Sequence, residues 1–286
     1  MDSKIKQKLL ANIFPESIAS ISDFDTFPWH TDSKKNIDTY KIQSSQALMI
    51  DVFGYLSICK DKDEIINTVF NLKDSNWKIT FEFTNDKLLN EKKSTQIDTI
   101  IEGNKNIILI ECKFTENDGG TCSQTQKIKR LNKKQCTGNY QEQINPVNGI
   151  TSSCSLSGKN ISYWNYIPKI YDFSNQEDYI PCPFKGGHYQ WMRNLCFAYS
   201  MQKSVNKKTT SYICYDDADF CPMKKKFDNE YLSNINKHVK SDFQFYIVTY
   251  QKIIETGIMI SREDSNWTLL KKWVSDKEEK IRLLIK

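Results

Sequence analysis

Two acids and a lysine punctuate the stretch IDTIIEGNKNIILIECKF, Ile97 to Phe114: Asp98 near its start, then Glu111 and Lys113 at the end of an apolar run. If the segment folds as a hairpin, side chains alternate along each strand, so Glu111 and Lys113 share one face while Ile108, Ile110, Cys112 and Phe114 share the other. A two-residue turn at Gly103 and Asn104, or a four-residue loop of the same symmetry, sets Asp98 opposite Leu109 and diagonal to Glu111. A three-residue loop would turn Asp98 to the wrong side. Two carboxylates converging beside a buried face are costly to keep ionised unless a cation sits between them. Magnesium suits such oxygens, its shell completed by water, phosphate and the backbone carbonyl of Cys112. Lys113 could then orient or deprotonate a water for attack on phosphorus, while the metal stabilises the charge developing on the phosphate. The competing reading is a solvated cross-strand ion pair, the commoner fate of such charges. The run NIILIE, apolar on both faces, argues instead for a covered central strand.

The elements around this stretch alternate in type. Residues 43–56 space Ala47, Ile50, Val52 and Leu56 on one broad side of a helix. Trp77 to Phe83, Ile97 to Ile101 and Ile107 to Phe114 read as three strands of a meander. Tyr189 to Met201 reads as a helix, Ser211 to Tyr215 and Phe243 to Tyr250 as further strands, and about 267–285 as an amphipathic terminal helix. Together they predict an α/β fold, a mixed sheet flanked by helices. The expected organisation is one domain over 1–286, interrupted at about 115–187 by a loop-rich, cysteine-containing insertion.

Composition excludes more than it assigns. The net charge of +5 is compatible with a polyanionic partner without requiring one. The charged amino terminus lacks a secretory signal, and no uncharged apolar run matches a bilayer, so a cytoplasmic protein without a membrane partner is expected. Nine cysteines in that setting suggest reduced thiols or metal ligands rather than a disulfide framework. Three widely separated histidines, His30, His188 and His238, make a histidine-based metal site or a Ser/His/Asp triad a poor expectation. Neither GxxxxGK nor a GxGxxG after a strand occurs, so ATP-driven chemistry is not encoded.

Asp98, twelve intervening residues, then ECK after a hydrophobic strand resembles the PD-(D/E)xK nuclease superfamily. The blocks SSQALMIDVFGYL, TFEF, ECKFTENDGGTC, YWNYIP, CPF and YQWMRNLCFA, spread over about 43–250, follow the order of a restriction-endonuclease-like family within it. The resemblance implies an α-β-β-β-α-β core, Asp98 and Glu111 as metal-binding carboxylates, and Lys113 as the catalytic lysine. Glu82 in TFEF is a candidate third acid, or else a surface strand glutamate. Where related nucleases often carry a glutamate on the first helix, this chain has Gln46, a candidate substrate contact and a departure that weakens the case for two tightly bound metals. Gln190 and Arg193, three apart on one helix face beside Tyr189, fall where related enzymes hold substrate phosphate or the attacking water.

In the insertion, Cys122, Cys136, Cys154 and Cys182 are too widely spaced for a CxxC knuckle. Half-buried thiols are the plainer reading; the resemblance keeps a structural zinc or iron–sulfur cluster open. The run QKIKRLNKKQ, with Lys129 and Arg130 at its centre, is either a solvated charged face or a phosphate-neutralising patch. The resulting expectation is a magnesium-dependent deoxyribonuclease, with manganese able to substitute, of restriction type and acting on double-stranded DNA. Homodimerisation stays open. A non-cleaving nucleic-acid-binding module and a repair or recombination nuclease remain as alternatives.

Overall fold

The computed structural model describes residues 1–91, 94–122, 160–172 and 182–285, together with Gln124, Cys136, Gly138, Cys154 and Leu156. Its helices are α1 (Ser3–Leu10), α2 (Ser45–Met49), α3 (Tyr55–Ile58), α4 (Lys62–Phe70), α5 (Tyr163–Ile170), α6 (Tyr189–Val205), α7 (Pro222–Phe227), α8 (Tyr231–Asn236), α9 (Tyr250–Ile260) and α10 (Asn266–Ile285). The strands are β1 (Lys78–Asn85), β2 (Thr95–Glu102), β3 (Asn106–Lys113), β4 (Lys208–Tyr215) and β5 (Phe245–Thr249). They form a five-stranded sheet in the order β1-β2-β3-β4-β5. The first three pair antiparallel and the last three parallel, giving a mixed sheet with β3 at its centre. The α-β-β-β-α-β succession implied by the resemblance is present as α2/α3, β1, β2, β3, α6 and β4, with β5 added beyond it.

Each face of the sheet carries its own core. Ile101, Ile108, Ile110, Cys112 and Cys214 pack with α2, α4, α9 and α10, while Ile100, Ile107, Leu109 and Ile213 pack with α5 and α6. Residues 107 to 113 of β3 are all buried, as expected for a strand covered on both sides. Helix α2 starts where the Ser44 hydroxyl accepts the Ala47 N–H, and a π turn over Ile50–Gly54 joins it to α3. Across these three pieces Gln46 to Leu56 are all buried, so the amphipathic helix expected here is instead a central one. The strand expected to reach Tyr250 ends at Thr249, whose hydroxyl accepts the Lys252 N–H and starts α9.

The hairpin register also differs from expectation. Glu102 pairs with Ile107 and Thr99 with Ile110, which centres the turn on Asn104 and Lys105 rather than on Gly103 and Asn104. The Asp74 carboxylate explains the shift: one oxygen accepts the N–H groups of Lys105 and Asn106 and the Asn106 side-chain amide, all within 2.9 Å. Gly103 packs so closely here that a β-carbon would lie 2.7 Å from that carboxylate and 2.9 Å from the Trp77 ring. Moving the pairing by two residues keeps every side chain on its face. The extended register places Glu111 itself, not Leu109, across from Asp98.

Candidate active site

The strands separate at Asp98. Beyond the Thr99–Ile110 pair, the Asp98 carboxylate accepts the Cys112 N–H at 2.7 Å, so a side chain replaces the next ladder bond. On the other side of Asp98, Glu82 of β1 has a φ of 50°, in the left-handed region. That conformation costs a non-glycine residue about 1 kcal/mol or more, and the contacts of its carboxylate hold it there. Gln46 and Gln96 donate their amides to separate oxygens of Glu82, and His30 Nε2 lies 3.3 Å from one of them. Ligand atoms of His30, Glu82 and Asp98 all fall within 4.8 Å of one another.

Lys113 is held on the opposite flank. Its ammonium donates to Glu111 Oε1 at 3.1 Å and Gln190 Oε1 at 3.0 Å, and sits 5.4 Å from the centre of the Trp191 ring. Asn194 Nδ2 donates to the second Glu111 oxygen at 2.7 Å. The spacing follows from α6, whose residues 190 and 194 lie one above the other toward the sheet. Its first turn is fixed in turn by the chain after β3: the N–H groups of Tyr189 and Gln190 donate to the carbonyls of Gly120 and Gly119. His30, Asp98, Glu111, Cys112, Lys113, Glu116, Asp118 and Gln190 line one open cavity of about 580 Å³.

The electrostatics are those of crowded acids. Burial, then the charges of Glu111 and Glu82, push the Asp98 carboxyl well above the usual carboxylate range. Burial also opposes charge on Glu111, but Lys113, Arg193 and the Asn194 amide outweigh it and hold its pKa low. For Lys113 burial disfavours the ammonium, yet Glu111, Glu116 and Asp98 raise its pKa above the ordinary lysine value. His30 is likewise penalised by burial and then raised to about 9 by its contact with Glu82 and by the charge of Asp98. A hard divalent cation fits this donor set: carboxylate oxygens predominate, and each unneutralised one repels the others. The imidazole also admits manganese.

Asp98, Glu111, Lys113 and Gln190 therefore meet in one cavity, and Glu82 adjoins them through Asp98 and His30. Gln46 is elsewhere than expected for a substrate contact. It is buried behind Glu82, accepting the His30 N–H and the Thr39 hydroxyl and donating to the Pro28 carbonyl and Glu82, so its amide is fully used within the protein. Arg193 turns its guanidinium to the Gln96 carbonyl at 3.2 Å rather than into the cavity. Lys129 and Arg130 lie outside the described residues. His30, set aside on sequence grounds because no second histidine is near, partners carboxylates instead. Asn194 was signalled only by its helical spacing from Gln190.

No helix among the described residues is long and apolar enough to cross a membrane. No curated protein and no solved structure matches the chain at a significant level. Residues 3–270 match the family model described as Restriction Endonuclease associating with ARP, and with nearly the whole mixed-sheet fold and its acidic cavity inside that span, the chain belongs to this family of nucleases, whose substrate is DNA.

Proposed function

We propose that the protein is a magnesium-dependent endodeoxyribonuclease of restriction type, using PD-(D/E)xK chemistry to hydrolyse phosphodiester bonds of duplex DNA. The observation that carries this reading is the shared cavity of Asp98, Glu111, Lys113 and Gln190, adjoined by the His30–Glu82–Asp98 cluster. Asp98 and Glu111 would hold the cation with the Cys112 carbonyl, and Glu82 and His30 would extend the donor set. When bound, magnesium or manganese supplies positive charge to a phosphate oxygen and acidifies a water.

The chain's own groups complete the site. Lys113 keeps its proton, and the Glu111 and Gln190 oxygens hold its ammonium toward the cavity. It therefore serves as a donor, to the attacking water's oxygen or to a phosphate oxygen whose charge grows as the water–phosphorus bond forms and the sugar oxygen leaves. Gln190 positions that ammonium, Asn194 fixes Glu111, and Gln46 fixes Glu82 together with the His30 backbone. Restriction-type activity implies a cytoplasmic setting, and cutting both strands at once implies two such sites, hence a pair of chains.

The test is cleavage of supercoiled plasmid and of a sequenced phage genome, with and without magnesium. Defined fragments that require the metal and vanish with Glu111→Ala are expected. Undiminished cleavage by Glu111→Ala, or DNA binding with no cleavage under any metal, would overturn the reading. Preference for linear ends or single strands would instead assign a repair role.

A further inference from the structure

Four cysteines far apart in sequence, Cys122, Cys136, Cys154 and Cys182, are each buried, with at most 8% of their surface exposed. Cys122, Cys154 and Cys182 belong to the core on the α5/α6 face of the sheet, packed near Leu156, Tyr163 and Phe184. Cys136 reaches the same place through the backbone: the Cys182 N–H donates to the Gly138 carbonyl at 2.7 Å. Two of the sulfurs are met by the chain that follows them. The Gly138 N–H donates to Cys136 Sγ at 3.3 Å, Gly138 taking a φ of +76° that makes the turn possible. The Phe184 N–H donates likewise to Cys182.

An N–H aimed at sulfur two residues back favours thiolate over thiol, and such bonds are how proteins hold and tune sulfur-ligated metals. Cys136, Cys154 and Cys122 all lie close enough to Cys182 to act on its side chain, so the four converge on one place.

We propose that Cys122, Cys136, Cys154 and Cys182 form a thiolate-ligated metal centre that fastens the insertion against the amino-terminal end of α6. Four thiolates gathered in a buried site suit zinc or a polynuclear iron–sulfur cluster. Its place has a consequence for the cavity. Cys122 lies two residues beyond Gly120, whose carbonyl with that of Gly119 caps α6, and Phe184 stacks on Tyr163 and touches Tyr189 of the same turn. Loss of the centre would loosen the turn that carries Gln190.

The proposal does not depend on the nuclease reading, and its test does not use cleavage. The full chain is purified anaerobically, and iron, zinc and acid-labile sulfide are measured with the visible absorption spectrum. Either iron with acid-labile sulfide and a brown absorption or stoichiometric zinc is expected, and the one found identifies the metal. Cys136→Ser and Cys182→Ser should lose the metal, whereas Cys59→Ser should keep it. Should those variants fail to fold, alkylation of the wild type decides: the four cysteines must be protected until a chelator is added and react once it is. A metal-free protein that binds neither zinc nor iron with sulfide on reconstitution, or a Cys136→Ser/Cys182→Ser double variant that retains the metal, would overturn the proposal.

Discussion

Replacing Gln46 by glutamate changes one atom at the hub that fixes Glu82. The Gln46 amide donates to a Glu82 oxygen, while its carbonyl accepts the His30 N–H and the Thr39 hydroxyl. In Gln46→Glu a second carboxylate faces Glu82 across what was a hydrogen bond. Two like charges about 4 Å apart at an effective dielectric of 20 repel by about 4 kcal/mol. Taking up a proton relieves this, at a cost for an ordinary glutamate of about 3.7 kcal/mol at pH 7 and about 1 kcal/mol at pH 5. Once protonated, the new group again donates to Glu82. The folded-state pKa of the introduced group is thus raised, so the penalty is absent below about pH 4 and grows as pH rises. At about 2 °C per kcal/mol for a chain of this size, the melting temperature should fall by about 7 °C at pH 7 and about 2 °C at pH 5, in chelator. Manganese should restore most of the loss, because the added carboxylate becomes a further ligand. Thermal unfolding at both pH values, with and without the ion, reads all of this. Equal stability of variant and wild type at pH 7 in chelator, or a loss that does not shrink toward pH 5, would refute the reasoning.

Other consequences are simpler. Asn194→Ala should leave the fold intact but weaken metal activation of cleavage about tenfold, since an orienting group behind a ligand is lost; a metal titration of the cleavage rate checks it. Asp74→Ala, by removing the clamp on the hairpin turn, should cost about 2 kcal/mol in urea unfolding at neutral pH. Burial opposes the charge of Asp74, but hydrogen bonds from Asn106, Lys105 and Ser75 lower its pKa to about 2. Its contribution is therefore present above about pH 4 and fades as pH falls toward 2, so the variant and wild-type curves should converge there. Lys277→Met should destabilise by about 3–5 kcal/mol, because it strands the fully buried Asp51 carboxylate. Adding Asp51→Leu should recover part of that loss in the same unfolding assay.

How much of this was readable beforehand depends on the range of the interactions. Strand β3 announced itself through the unbroken apolar run ending in Glu111 and Lys113, because a strand covered on both faces has no polar side. The parity that turns Asp98 toward Glu111 survived a wrong turn position, since a shift of two residues changes partners but not faces. The turn itself was set by Asp74, far upstream, and no local pattern could show that. Helix α2 and the π turn after it were legible as helix but not as buried: Asp51 in that turn looks like a solvent face until Lys277 from α10 is brought to it. His30 escaped notice for the same reason. A loop histidine becomes a candidate ligand only when β1 turns Glu82 back toward it, in a backbone conformation that β propensity does not predict.

Activity of the proposed kind requires acids from neighbouring strands to grip one cation within reach of Lys113. Crystals of the protein soaked in manganese, with diffraction recorded at the manganese absorption edge, test this directly. The predicted result is an anomalous peak bounded by Asp98 and Glu111, on the side of His30 and Glu82, and its disappearance in Glu111→Ala. A fully soaked crystal with no peak in that cavity, or a peak unchanged by the substitution, would contradict it.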